Sequence, residues 1–175
     1  SLFDLNFKNS KNKKIKIKNI NLKLIGEHNV LNATSAIAVC LNLGVKINVI
    51  KRSLKNFSGV QRRMTKILVK NKNEFFDDYA HHPTEIKSIL ESINAVYRDR
   101  KIISVFEPHR YSRVSLLKNE FSKSFKKSDL VLICPIYAAG EKKMNFNQLD
   151  LAKLISKNSN TQVIIIKEEK DLSNY

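Results

Sequence analysis

From about residue 64 onward, short apolar runs alternate with longer stretches whose apolar residues recur at helical spacing, and this leaves few folds open to the chain. The runs at 64–69, 74–77, 101–106, 130–134 and 162–166 read as strands. The segments 84–97, 112–127 and 147–157 read as helices; in the second, Val114, Leu117, Phe121 and Phe125 share one face. Strands separated by helices of this length pair through crossovers, which predicts an α/β fold with a mostly parallel sheet. Pro83 suits the first turn of its helix, and Glu85 lies near the positive end of the dipole.

The first third of the chain is organised differently. Phe3, Leu5 and Phe7 alternate along a strand, residues 8–14 form a polar turn, and Ile15 and Ile17 continue the alternation on the return. Ile20, Leu22 and Leu24 then fall in the opposite phase, so a bulge or second turn is expected near Asn19. From His28 the pattern is helical, with Leu31, Ala38 and Leu41 among its apolar positions and Gly44 as C-cap. A short helix over 48–55 ends at Phe-Ser-Gly, residues 57–59, which marks a domain boundary after residue 57.

The balance is strongly basic, 32 Lys plus Arg against 16 Asp plus Glu, and raises the question of a nucleic-acid partner. The excess is mostly Lys dispersed over nearly every polar segment, not clustered and interleaved with exposed aromatics as a nucleic-acid groove requires. Phe3, Phe75, Phe76, Phe106 and Phe121 fall instead at core-like positions, and no nucleic-acid partner is expected. No apolar run approaches a membrane span, so no membrane role is expected. Cys40 and Cys134 sit in apolar runs and read as reduced, buried thiols, and the four histidines lack zinc-type spacing.

The segment most suggestive of chemistry is Phe-Glu-Pro-His-Arg-Tyr-Ser-Arg, residues 106–113, which places His109, Arg110 and Arg113 where a strand turns into a helix. Open α/β sheets bind ligands at the carboxyl ends of their strands, and cations there can hold an anion. Taken alone, the three cations read more readily as a solvated turn. Three further segments accompany it: Gly-Glu-His-Asn-Val-Leu-Asn at 26–32, Gly-Val-Gln-Arg-Arg at 59–63, and Asp-Asp-Tyr-Ala-His-His-Pro-Thr-Glu at 77–85. In this order and spacing the four resemble the motifs of the Mur ligases of bacterial cell-wall synthesis. The His-His-Pro and Pro-His-Arg-Tyr-Ser-Arg versions favour the member that adds L-alanine to UDP-N-acetylmuramate over its relatives, and the His-Arg-Tyr-Ser-Arg run argues against the member that recycles murein peptides.

The resemblance implies an ATP-dependent, amide-forming ligase of the bacterial cytoplasm, acting through an acyl phosphate on UDP-N-acetylmuramate, L-alanine and ATP. It implies that residues 1–57 end a central ATP-binding domain and that 58–175 form a Rossmann-like C-terminal ligase domain, incomplete at its end. It assigns nucleotide contacts to His28, Asn29, Asn32, Arg63 and Asp78, with Arg63 also catalytic at the γ-phosphate, and amino-acid contacts to Tyr79, His81, His109, Arg110 and Arg113. On residue chemistry alone, Asn29 and Asn32 read more readily as helix caps, and Arg62 competes with Arg63.

Two departures stand out. Glu107 occupies a position where the family more often carries Gln, setting a carboxylate beside three cations, where it is expected to damp their pull on an anion. Glycine occurs only at 26, 44, 59 and 140, so the Gly-rich phosphate loop of the family cannot be assembled. The chain, which begins on Ser, is therefore expected to be an interior piece of a longer ligase, inactive alone, with the Mg2+ ligands and the UDP-sugar site mainly upstream. The reading outside the family is a noncatalytic nucleotide-binding or basic interaction module.

Overall fold

The computed structural model describes residues 1–8, 12 and 14–174, and its internal contacts divide into two compact units, Ser1–Asp78 and Tyr79–Tyr175. In the first, β1 (Leu2–Lys8) and β2 (Lys14–Asn21) pair antiparallel. Much of the turn expected over residues 8–14 lies outside the described residues. The phase change in β2 is a bulge: Phe3 pairs with Ile20 but Leu5 with Ile17, so Lys18 and Asn19 together oppose Asp4. Asn19 takes φ 56°, and its N–H donates to Asp4 Oδ1 at 2.8 Å. The extra residue returns the strand to phase, which is why Ile17 and Ile20 are both buried.

Those two isoleucines form a small core with Ile37 of α1 (Glu27–Asn42) and Ile50 of α2 (Ile47–Asn56). Gly44, at φ 80°, closes α1: its N–H donates to Leu41 O at 3.1 Å while Val45 N–H reaches Cys40 O at 3.0 Å, the paired bonds of a Schellman motif. The unit ends in a separate antiparallel hairpin, β3 (Thr65–Lys70) and β4 (Asn73–Asp77). Its two-residue turn, Asn71 and Lys72, has both φ values positive, the geometry that matches strand twist in tight hairpins. Phe75 on β4 is 44% exposed, contrary to its expected place in a core: a two-stranded ribbon leaves much of each face uncovered.

In the second unit, α3 (Pro83–Val96) precedes β5 (Ile103–Phe106), α4 (Tyr111–Leu116), α5 (Lys118–Ser122), β6 (Leu130–Ile133), α6 (Gln148–Ser159) and β7 (Gln162–Ile165). The three strands form a parallel sheet in the order β5-β6-β7, the arrangement that helical crossovers dictate. Phe106, Val114, Phe121, Phe125, Val131, Ile133, Leu151 and Ile155 make the main core. Leu132, Cys134 and Ile166 form a second cluster, on which Leu172 of a final 3-10 turn (Glu169–Asn174) packs.

The single helix expected over 112–127 is divided. Leu117, at φ −103° and ψ 24°, separates α4 from α5, and α5 gives way to turns after Ser122. Ser122 Oγ donates to Asn119 O at 2.6 Å and Ser124 Oγ to Glu120 O at 2.8 Å, so hydroxyls take carbonyls that a regular helix would give to N–H groups. The apolar spacing still works: Phe121 and Phe125 are buried, with ring centroids 5.4 and 5.2 Å from Phe106. Among the described residues, no helix is long and apolar enough to cross a membrane.

Candidate functional site

The carboxyl ends of β5 and β6 run on as two loops stitched together by backbone hydrogen bonds. Cys134 N–H donates to Phe106 O at 2.8 Å, Tyr137 N–H to Pro108 O at 2.8 Å, and Arg110 N–H to Tyr137 O at 2.9 Å, with His109 and Tyr137 forming an isolated parallel bridge. This pairing fixes the 106–113 turn at the carboxyl-terminal edge of the sheet, where open α/β folds bind their ligands. Arg110 takes φ 66° and ψ 123° at the N-cap of α4, a conformation unfavourable for a residue with a Cβ and tolerated only where surroundings enforce it.

His109 is largely covered, its side chain 16% exposed, and its Nε2 lies 2.9 Å from Glu107 Oε2. A carboxylate at that distance places the proton on Nε2 and leaves Nδ1 of a neutral ring as the acceptor. His81 is held in the opposite sense: its Nδ1 lies 2.8 Å from Tyr79 O, and a carbonyl can only accept. The two imidazoles stack with centroids 6.0 Å apart and planes 23° from parallel. Tyr79 meets them edge-on at 4.9 Å from His81 and 6.0 Å from His109, and Tyr137 lies 5.1 Å from His109.

The loop carrying Tyr79 and His81 is tied to the start of α3. His82 is its N-cap and Pro83 opens the first turn. Glu85 Oε2 accepts from the N–H groups of His81 at 3.1 Å and His82 at 3.2 Å, completing a capping box. The residue that sequence reasoning placed near a helix dipole thus also fixes the backbone of a candidate site residue. Arg110 is exposed at the head of α4, and Arg113, half-buried, lies one turn further on.

Tyr137 and Glu141 were not singled out by the sequence reading. Glu141 accepts from Ser112 N–H at 3.1 Å and from Ser112 Oγ. These hydrogen bonds, then the Arg110 guanidinium, hold its carboxyl below the usual carboxylate range. The signal available was positional: residues 135–141 follow β6 at the same edge of the sheet as 107–113 follow β5.

The candidate nucleotide residues all belong to the first unit. His28, Asn29 and Asn32 lie on the first two turns of α1. Asn29 does not cap the helix, a place Gly26 takes at φ 98°; its Nδ2 donates to Ile25 O at 2.7 Å, while Asn32 is exposed. At the hairpin, Arg62 Nε lies 3.6 Å from Asp77 Oδ2 and Arg63 is exposed beside it. Asp78 Oδ2 accepts from Met64 N–H at 2.8 Å, steadying a turn in which Arg62 and Met64 both have positive φ. Among the described residues, no three of His, Cys, Asp and Glu are grouped to hold a metal ion.

Within the second unit, then, two imidazoles and two phenols line one edge of a parallel sheet, and two guanidiniums follow at the head of the adjoining helix. Such a set offers groups able to pair a carboxylate and to accept a proton.

Comparison with known proteins gives this arrangement a context. UDP-N-acetylmuramate:L-alanine ligase of Pelagibacter ubique is 46% identical over all of this chain and 38% of its own length. The enzyme of the same name from Brachyspira hyodysenteriae is 54% identical over 67% of this chain and 25% of its own length. Among solved structures, UDP-N-acetylmuramate-alanine ligase MurC of Thermotoga maritima superposes with TM-score 0.70 at 27% identity, covering 93% of this chain and 33% of its own. A murein peptide ligase of Psychrobacter arcticus gives 0.66 at 25% identity, covering 99% of this chain and 35% of its own. The chain thus spans about a third of the length of the curated relatives it matches. Residues 62–175 match the family described as Mur ligase, glutamate ligase domain, and the chain belongs to the Mur ligases.

Proposed function

We propose that this chain is part of a bacterial cytoplasmic ligase that joins L-alanine to UDP-N-acetylmuramate at the expense of ATP. Residues 1–57 are then the end of its ATP-binding domain, and 58–175 its ligase domain. The observation that carries the reading is the meeting of Tyr79, His81 and His109 at the mouth of β5, with Arg110 and Arg113 entering the helix that follows. The names of the relatives support the same substrate pair.

In this reading the muramyl carboxylate attacks the γ-phosphorus of ATP and ADP leaves. The amine of alanine then attacks the acyl phosphate, loses a proton and expels inorganic phosphate. Arg110 and Arg113 pair the alanine carboxylate, the aromatic wall encloses its methyl group, and His28, Asn29, Asn32 and Asp78 serve adenine and ribose. Arg63 meets charge developing on the transferred phosphoryl group, while Arg62, paired with Asp77, holds the turn. The Mg2+ that accompanies ATP is assigned ligands mainly in the rest of the enzyme. The murein peptide ligase layout is the second reading, favoured by the structural match over 99% of this chain.

The full-length protein should release phosphate from ATP only when UDP-N-acetylmuramate and L-alanine are both present; turnover with a free murein peptide but not with alanine would move the assignment to the second reading. Arg63→Ala should slow phosphate release about 100-fold or more, the loss typical of one transition-state donor, and Arg62→Ala far less. Equal, mild losses would remove Arg63 from its role.

A further inference from the structure

We propose that Glu141 is a positioning residue that anchors the start of α4 and, through Ser112, fixes the backbone that presents Arg110 to a carboxylate-bearing substrate. This rests on the alanine-pocket reading above and adds to it a residue from a different loop. Three observations carry it. First, Glu141 spends both carboxylate oxygens on one residue of the turn, accepting from Ser112 N–H at 3.1 Å and from Ser112 Oγ. Second, Ser112 lies two positions after Arg110, whose φ of 66° is unfavourable for an L side chain, so the turn needs external restraint at this point. Third, the two loops are already paired at Pro108, Arg110 and Tyr137, which leaves Glu141 at the far end of a continuous clasp.

The Arg110 charge contributes to keeping Glu141 ionised. The two bonds to Ser112, two residues after Arg110, fix the backbone from which the guanidinium extends before substrate arrives. A preorganised cation binds a carboxylate with less loss of side-chain freedom than a mobile one. A bare helix cap would act through Ser112 alone. A positioning residue must also act on Arg110.

The test uses Glu141→Gln, which keeps one acceptor oxygen and loses the charge, and Glu141→Asp, which keeps the charge on a shorter arm. In the 175-residue chain labelled with nitrogen-15, Glu141→Gln should move both the Ser112 amide and the Arg110 Nε resonance, and Glu141→Asp should leave Arg110 closer to wild type. In the full-length enzyme, Glu141→Gln should raise the KM for alanine roughly fivefold, the scale of one weakened hydrogen bond, and leave that for ATP within about twofold. A shift of Ser112 with Arg110 unmoved, or alanine and ATP dependences that change together, would overturn the proposal. If the wild-type enzyme does not use alanine, the substrate reading fails, and the Arg110 resonance still decides the role of Glu141.

Discussion

Replacing Glu85 by alanine should loosen the second unit and the site together, because one carboxylate serves both. Its Oε2 accepts two backbone N–H groups, from His81 at 3.1 Å and His82 at 3.2 Å. Loss of a capping interaction costs about 1 kcal/mol, and loss of a negative charge from the first turn adds roughly 0.3–1 kcal/mol, for a total of about 1.5 kcal/mol. In a unit of the size of Tyr79–Tyr175, each kcal/mol moves the melting temperature by about 4–8 °C, so Tm should fall by roughly 6–12 °C. Glu85→Gln keeps an acceptor oxygen and should fall between wild type and Glu85→Ala. Far-UV circular dichroism of the three proteins at one concentration makes the comparison. If Glu85→Ala melts with wild type, or Glu85→Gln is as damaging as Glu85→Ala, the capping box does not hold this loop as described.

Gly59→Ala should destabilise the first unit, since residue 59 sits at φ 95° and the added Cβ would lie 3.0 Å from Leu24 Cδ2. The backbone conformation alone costs an alanine about 1–2 kcal/mol, and an unshifted urea midpoint would show that the turn relaxes. The pH response of Glu141 has a definite sign: its folded carboxyl titrates below the usual range, so its contribution is present above the unfolded pKa and is lost only as pH falls through the lower folded value. The Ser112 amide resonance should therefore keep its neutral-pH position through the ordinary carboxylate range and move only below it. Movement centred at or above that range would contradict the bonding described.

The parts of the fold that could be read from the sequence were those in which local chemistry and tertiary structure demand the same thing. The phase reversal in β2 required an extra residue near Asn19, and Gly44 and Pro83 mark positions whose backbone geometry few other residues suit. The division of the 112–127 segment was hidden because its apolar spacing continues unbroken; the serine hydroxyls that bond Asn119 O and Glu120 O where α5 gives way to turns leave no trace in a hydrophobic pattern. Phe75 misled because an aromatic residue on a two-stranded ribbon has the same composition as one in a core. The histidine and arginine runs of the site were visible as local motifs. Glu141 was not, since its partner Ser112 is 29 residues distant and the carboxylate gains its meaning only when the loops after β5 and β6 pair.

The central claim is that the turn after β5 receives an amino acid. It is tested most directly by the alanine dependence of phosphate release in the full-length enzyme carrying Arg113→Ala, with UDP-N-acetylmuramate saturating and ATP varied separately. Removing one side of a charge-assisted pair typically costs about 2–5 kcal/mol, so the KM for alanine should rise at least about 30-fold while that for ATP stays nearly constant. An unchanged alanine dependence, or an equal rise for ATP, would contradict the account.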